Sequence, residues 1–240
     1  TYSDGQAAYN SGQIQVQRKM GAFVFDGHYT IASNLNNMTN TENPYDRHWW
    51  GRDNFTSRHR VVLNATYDLP FGKGRRFLTS APAIVDKVLG GWQLGLVSYF
   101  QSGQYFTPSF SGSDPSNTNT SGGRPDRIAD GNFSPGQRDR NKWFDASAFA
   151  VPPAGRFGNA GATILEGPGM NLQHLSLVKD FPIRERLKFV IQGMFTNVAN
   201  HPIFDFPFSN ISVPASVART YQLREGGGGG REMAGPRNLQ

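Results

Sequence analysis

The stretch HRVVLNATYDLPFGKGRRF, residues 59–77, decides the fold that the sequence predicts. Its side chains alternate with period two through the first eleven positions or so. One face carries apolar side chains at Val61, Leu63, Ala65, Tyr67 and Leu69, and the other carries Arg60, Val62, Asn64, Thr66 and Asp68. Such alternation is typical of a β-strand with one apolar and one mostly polar face. The strand is expected to end at Pro70, before a turn rich in glycine, lysine and arginine.

The same design recurs on both sides of this stretch. Five further strands are predicted from their alternation, at residues 13–20, 22–33, 92–106, 171–181 and 187–198. Residues 1–12 are expected to form a loop, and residues 83–89 one or two helical turns. The chain ends in a segment that we expect to begin another strand, which makes about seven strands in all.

The connections between these strands alternate in length. Those near residues 21 and 184 are short, and the one at 71–90 is of medium length. The other connections are long and polar, at residues 34–57, 109–169 and 201–233. Outer-membrane barrels have short turns on one side and long loops on the other. The sequence therefore predicts an all-β fold, an antiparallel up-and-down transmembrane β-barrel with long external loops.

Composition limits the other classes of protein. The chain has 240 residues, no cysteine, 37% hydrophobic and 12% aromatic residues, which suits strands with only one apolar face. It contains no apolar run of about 18 residues, so no membrane helix is expected. The net charge of +6 leaves open a soluble β domain that binds nucleic acid. That alternative rests on charge alone, and because the strand centres lack lysine and arginine we expect no nucleic-acid partner.

The alternation also assigns side chains to the two sides of a barrel wall. We expect the apolar faces to meet lipid or, in the alternative of a soluble protein, to pack in a core. The polar faces would line the lumen, with or without a specific ligand. The candidate lipid-facing residues are Phe23, Phe25, Tyr29, Leu63, Tyr67, Trp92, Leu94, Phe189 and Phe195. The candidate lumen-facing residues are Asp26, His28, Asn64, Asp68, Gln93, Gln101, Lys188 and Gln192.

The long loops combine aromatic and charged residues, which are common in recognition sites. Two interpretations remain open for them, contact with an external ligand and structural stapling of the loops. The candidates are Trp49, Trp50, Arg52, Arg124, Asp126, Arg127, Trp143 and Phe144. No spacing of residues matches a metalloprotease, a nucleophile elbow or a phosphate-binding loop, so we expect no enzyme, metal site or cofactor.

Several motifs in order carry a resemblance to a known family. They are HRVVLNATYDLPFGKGRRF, LGGWQLGLVSYFQSGQYFTP, GGRPDRIADGN, KWFDASAFAVPPAGRFGNAG and LEGPGMNLQHLSLVKDFPIRERLKFVIQGMFTNVANHPIF. Together they resemble the C-terminal barrel of TonB-dependent outer-membrane receptors of the Oar-like, acidobacterial type, which also have a carboxypeptidase-regulatory-like domain. The resemblance covers roughly residues 13–240, and receptors of this family have about 22 strands around a plugged lumen.

The resemblance implies that residues 1–240 are part of a C-terminal barrel domain without the plug domain, with the final strand cut short. It implies an integral protein of a Gram-negative outer membrane, in contact with lipid and lipopolysaccharide. Its partners would be an unidentified bulky solute and, through the missing N-terminal part, the TonB energy-transducing system. The loops at 34–57, 109–169 and 201–233 would be external. An alternative is an adhesion protein whose loops bind a carbohydrate or a surface partner without transport.

Overall fold

The computed structural model describes residues 5–37, 42–43, 50–184 and 187–224. Six long strands pair with their neighbours in chain order, all antiparallel, in one sheet. They are β1 (Ala7–Met20), β2 (Phe23–Asn36), β3 (His59–Asp68), β4 (Trp92–Gln101), β5 (Met170–Arg184) and β6 (Leu187–Phe195). The expected all-β, up-and-down arrangement is confirmed in this part of the chain.

The connections fall into two groups at opposite ends of the sheet. β1 and β2 are joined by Gly21 and Ala22, and Gly21 has a φ of +57°, which glycine adopts without strain. β3 and β4 are joined through the predicted helix α1 (Ala83–Leu89), and β5 and β6 by a short connection at the same end. We call this the turn end. The opposite end, where the long connections leave the sheet, is the loop end.

The register fixes which side chains share a face, because directly opposed residues point to the same side of a sheet. Phe23, Tyr67, Leu94 and Leu177 lie opposite one another along one row of four neighbouring strands. The face that carries this row is the apolar face. Asp26 pairs with Asn64 on the other side, and we call that side the polar face.

No second sheet covers the apolar face among the described residues. Ile14 is 63% exposed, Phe189 55% and Ile191 50%, and all three belong to that face. A soluble sandwich would bury such positions against an opposite sheet. A continuous apolar surface of this extent is typical of a site of contact with a membrane or a partner.

The sheet is open in the part of the chain that the structure describes. β1 pairs only with β2, and β6 pairs only with β5, so each has one edge without a neighbouring strand. A closed wall requires further strands along these edges, because unpaired backbone groups are not tolerated in a bilayer.

The largest differences from the predicted strand boundaries are in β1 and β4. β2 and β5 also extend three residues further than predicted, to Asn36 and Arg184, and β6 ends three residues earlier, at Phe195. The expected loop at residues 1–12 is wrong for residues 7–12, because β1 already begins at Ala7 and pairs along the whole of β2; residues 1–4 lie outside the described residues. The predicted strand at 92–106 is also too long, since β4 ends at Gln101. A Cβ atom on Gly103 would lie 1.8 Å from the carbonyl oxygen of Gly167, so a residue with a side chain does not fit at position 103. The chain leaves the sheet at this close approach. Residues beyond this turn pair with the loops instead of the wall.

The long loops fold together at the loop end, and we call this assembly the loop layer. Its short ladders join Gly51–Arg52 to β2, Tyr105–Phe106 to Leu165–Glu166, Phe110–Ser111 to Gly122–Gly123, and Asp126–Arg127 to Phe149–Ala150. Two 3-10 helices, Pro135–Gln137 and Ala146–Ala148, belong to the same layer.

Candidate ligand cleft in the loop layer

The cluster of buried hydrophobic residues lies in the loop layer and not against the sheet. Phe106 and Phe144 form its centre, with ring centroids 5.8 Å apart at an angle of 65°, and Phe149 packs edge-on against Phe144 at 6.2 Å. The full cluster consists of Phe106, Phe144, Ala148, Phe149, Ala160, Leu165 and Ala218. These residues come from three separate stretches of the chain. The loops are thus held together by their own hydrophobic packing.

Two of the predicted loop contacts belong to this packing. Phe144 is only 1% exposed, and Trp143 packs against the cluster. The indole Nε1 of Trp143 donates a hydrogen bond of 2.8 Å to the carbonyl oxygen of Glu166. This geometry favours the structural interpretation for both residues, because Phe144 is buried and Trp143, which is partly buried, is hydrogen-bonded across the loops.

Arg124 joins two loops that are far apart in sequence. Its Nε donates to Oε2 of Glu42 at 2.8 Å, and its Nη1 donates to the carbonyl oxygen of Ala160 at 2.9 Å. The backbone N–H of Arg124 donates to the other oxygen of the same carboxylate, also at 2.8 Å. Both side chains are largely buried, at 12% and 17% exposure. Arg124 therefore ties the first long loop to the second.

Asp126 and Arg127 are held by separate partners. Nη1 of Arg156 donates to Oδ1 of Asp126 at 2.8 Å, and this hydrogen bond lowers the pKa of the Asp126 carboxyl against the opposing effect of burial. Arg127 forms an ion pair with Asp130, and its backbone N–H donates to Oδ1 of Asn159 at 2.7 Å. These contacts order the segment that carries the GGRPDR motif.

Arg52 sits differently from the other loop arginines. Its segment is fixed by pairing with Leu35 and Asn36 of β2, and its carbonyl oxygen accepts a hydrogen bond from the hydroxyl of Thr163. The guanidinium lies 4.4 Å from the centroid of the Tyr105 ring. Among the described residues, no carboxylate forms an ion pair with it. Arg52 is thus a positioned cation that keeps its hydrogen-bond donors for another group.

Arg52 lines a cleft of about 420 Å³ together with Trp50 and Arg127, which the sequence analysis also selected. We call it the Arg52 cleft. Its other walls include Tyr105, Asn132, Arg138 and Glu166, which sequence reasoning missed. Arg138 donates to Oε2 of Glu166 at 2.9 Å and to the carbonyl oxygen of Phe133 at 2.9 Å. No local pattern marks these residues, because they meet only through the folding of distant loops.

The Arg52 cleft has the features of a site for a planar or sugar-like anionic group. The indole of Trp50 is 47% exposed and offers a stacking surface. Of the three arginines that line the cleft, Arg138 pairs with Glu166 and Arg127 with Asp130, so that among the described residues the unpaired positive charge is that of Arg52. Guanidinium groups bind carboxylates and phosphates through paired hydrogen bonds.

The predicted lumen residues all lie on the polar face. Several bond to one another: Nε2 of His28 lies 2.7 Å from Oδ2 of Asp26, and Nε2 of Gln93 donates to Oδ1 of Asp68 at 2.8 Å. Lys188 forms an ion pair of 3.0 Å with Asp180. The remaining members are Asn64 opposite Asp26, Gln101 bonded to Ser57, and Gln192 opposite Val178. The polar face is therefore a hydrogen-bonded surface spread over the strands.

The nine predicted lipid-facing residues all lie on the apolar face. They are Phe23, Phe25, Tyr29, Leu63, Tyr67, Trp92, Leu94, Phe189 and Phe195. Their contact with lipid stays a prediction of the alternation. Near the loop end, the hydroxyl of Tyr29 lies 2.8 Å from Nδ1 of His59, so this ring also has a polar partner.

Some features of the sequence lie outside the described residues or have no structural counterpart among them. Trp49 and the glycine run at 226–230 belong to the stretches that are not described. Within the described residues, no group of three or more acidic or histidine side chains has the geometry of a metal site. No described helix has the length and apolar composition needed to cross a bilayer.

A family model described as an outer membrane beta barrel domain matches residues 1–240. No curated protein and no solved structure matches the chain.

Proposed function

The chain belongs to the family of outer-membrane β-barrel domains, and from that premise we propose that it forms wall and external loops of a TonB-dependent receptor. A domain of this family is integral to the outer membrane and contacts its lipid. In the proposal, the receptor takes up a bulky solute with energy transmitted from the inner membrane. The loop end faces the outside and the turn end faces the periplasm, as in other bacterial outer-membrane barrels.

The main support for the proposal is the Arg52 cleft. It lies in a folded loop layer, at the loop end of a sheet that has one apolar face. A solute that is captured outside must first bind to external loops, and a cleft of about 420 Å³ is within the range of small-molecule sites. The ordered series of motifs from residue 59 to residue 204 resembles this receptor class and supports the same reading.

A second candidate is an outer-membrane binding or adhesion protein. The loop layer has its own hydrophobic core and cross-loop ion pairs such as Arg124 with Glu42. Such a layer is a stable platform, and binding to a carbohydrate or a surface partner needs no passage through a lumen. This function requires the loops but not the energy-transducing system.

Growth and binding in the native bacterium separate the two functions. Strains that lack the gene, the energy transducer, or both are compared on panels of iron chelates, oligosaccharides and peptides. The transport proposal predicts that one solute class supports growth only when both genes are present, and that the double deletion is no worse than either single deletion. If the deletion abolishes attachment or surface binding while the transducer deletion has no effect on either, the protein is an adhesin.

A further inference from the structure

A basic pocket lies at the turn end, at the opposite end of the sheet from the Arg52 cleft. It has a volume of about 430 Å³ and lies between the β3–β4 connection, the end of α1 and the β5–β6 hairpin. Four cationic side chains line it: Lys73, Arg75, Lys87 and Lys179. Three of these are among only six lysines in the chain. We call this site the turn-end pocket.

Lys179 is the most unusual of the four. It stands on the apolar face, opposite Trp92, yet it is only 2% exposed. Its Nζ donates to the carbonyl oxygen of Gly90 and lies 4.9 Å from the Phe181 ring centroid and 5.6 Å from that of Trp92. An ammonium group has three donors, so two remain for another acceptor. A buried cation is stable when an anion accompanies it.

The nearby carboxylates do not supply that anion. Oδ1 of Asp86 accepts the backbone N–H of Lys73 at 2.5 Å. The carboxylate of Asp180 belongs to the polar face and pairs with Lys188. Nη2 of Arg75 lies 3.5 Å from Oδ2 of Asp68. Among the described residues, no carboxylate forms an ion pair with Lys73, Lys87 or Lys179. The turn-end pocket therefore has an excess of positive charge.

Exposed apolar side chains line the pocket or lie on the helix beside it. Phe71, which lines the pocket, is 40% exposed. On α1, Ile84 is 79% and Val88 59% exposed, and their spacing of four residues puts them on the same side of the helix. Ile183 on the β5–β6 side of the pocket is 58% exposed. Cations beside exposed apolar groups match a ligand with a charged head and a hydrocarbon tail better than they match a free ion.

We propose that the turn-end pocket binds the phosphate of a glycerophospholipid in the periplasmic leaflet of the outer membrane. The cations contact the phosphate, while Phe71 and Ile183 in the wall of the pocket lie against the acyl chains. Lys179 donates to the phosphate with the two hydrogens that Gly90 does not engage. The proposal depends on the membrane orientation given above and not on transport, so either can fail without the other.

Native mass spectrometry of the full-length protein, purified in detergent, tests this proposal. The probes are a short-chain phosphatidylglycerol, a diacylglycerol with the same chains but no phosphate, and inorganic phosphate. The test variant is the double substitution Lys73→Gln/Lys87→Gln, whose two side chains are exposed, so that folding is not at risk. Lys179→Met is a second variant, and Lys142→Gln in the loop layer is the matched control.

We expect the wild type and Lys142→Gln to retain phosphatidylglycerol but not diacylglycerol. Removal of each pocket lysine should lower the affinity for phosphatidylglycerol about fivefold, so the affinity of the double variant should be roughly 25-fold lower. Equal retention in the double variant and the control would overturn the proposal. So would binding of inorganic phosphate as strong as that of the lipid, which would make the site one for a free anion. Retention of lipid A in the pocket from native membranes, in place of glycerophospholipid, would contradict the assigned leaflet.

Discussion

Phe23 on β2 lies opposite Tyr67 on β3, with their ring centroids 6.5 Å apart on the apolar face near the turn end. Trp92, Phe181 and Phe189 occupy the same face at the turn end of the following strands. Aromatic rings in such a row are typical of the girdle that outer-membrane barrels have at the membrane–water interface. The same substitution should therefore have a different effect on the stability of the protein on each face of the wall.

Arginine on the apolar face should destabilise the protein much more than arginine on the polar face. Leu96 and Thr66 are both exposed and lie on neighbouring strands, but on opposite faces. If Leu96 lies near the middle of the bilayer, Leu96→Arg should lower the free energy of unfolding by about 2–4 kcal/mol. Thr66→Arg is the control and should cost much less. The measurement is urea unfolding of the full-length protein in lipid vesicles, and equal losses would argue against a lipid-facing surface.

Truncation of Phe144 should loosen the loop layer without unfolding the wall. The ring is 1% exposed and packs against both Phe106 and Phe149. Phe144→Ala should remove about 3–5 kcal/mol of local stability, because it leaves a cavity in the loop core. Hydrogen exchange across the loops measures this loss. Phe55, which is 78% exposed, provides the control. Phe55→Ala should change the local stability measured by hydrogen exchange by less than about 0.5 kcal/mol.

The Asp126–Arg156 pair should make the loop layer sensitive to acid. Since its hydrogen bond with Arg156 lowers the pKa of Asp126 in the folded state, the pair stabilises the loops above the unfolded pKa, about 3.9. That stability is lost as the pH falls through the lower, folded pKa. Asp126→Asn should therefore raise proteolysis of the loops at neutral pH, and the difference from wild type should shrink in strong acid. A difference that is constant with pH would contradict this account.

Substitutions in the Arg52 cleft should weaken binding of the solute, and this can be measured once the solute is identified. Trp50→Ala and Arg52→Ala each remove a lining group with a free surface or free donors, and each should weaken binding about tenfold. Arg52→Lys keeps the charge but loses the planar stacking on Tyr105, so its binding should be only partly restored. Arg219→Gln is the control, because Arg219 is exposed in the loop layer and does not line the cleft. Binding is measured on intact cells.

Labelling at two serine positions tests the orientation of the protein in the outer membrane. Ser121 lies in the loop layer and Ser80 in the β3–β4 connection at the turn end, and both are exposed. A membrane-impermeant maleimide should label Ser121→Cys in intact cells and Ser80→Cys only after the outer membrane is permeabilised. The reverse pattern would show that the turn end faces outward, and the turn-end pocket would then meet the other leaflet.

The faces of the wall were predictable because alternation is local. Leu63 and Asn64 are neighbours in sequence, and their opposite directions follow from the extended backbone alone. The start of β1 was not predictable in this way. The segment AAYNSG has no alternation of apolar side chains, and it is a strand because it pairs with residues 31–36 of β2.

The loop layer was beyond prediction from the sequence. Arg124 and Glu42 are 82 positions apart, and the sequence gives no sign that they meet. Phe144 has the character of an exposed recognition residue when it is seen only within KWFD, but it lies in a core built from distant segments. Contacts of this kind depend on tertiary packing, and the same holds for Tyr105 and Arg138 in the Arg52 cleft.

A scan of single spin labels along β3 tests the central claim most directly. These 240 residues contain no cysteine, and any cysteine elsewhere in the full-length protein is replaced by serine, so that each label reports one position. The full-length protein is labelled in turn at residues 60–67 and reconstituted in lipid, and accessibility to oxygen and to a water-soluble nickel chelate is measured. The account predicts oxygen access at Val61, Leu63, Ala65 and Tyr67 and nickel access at the positions between them. Uniform accessibility, or strong protection of the four apolar positions from both reagents, would contradict a membrane wall.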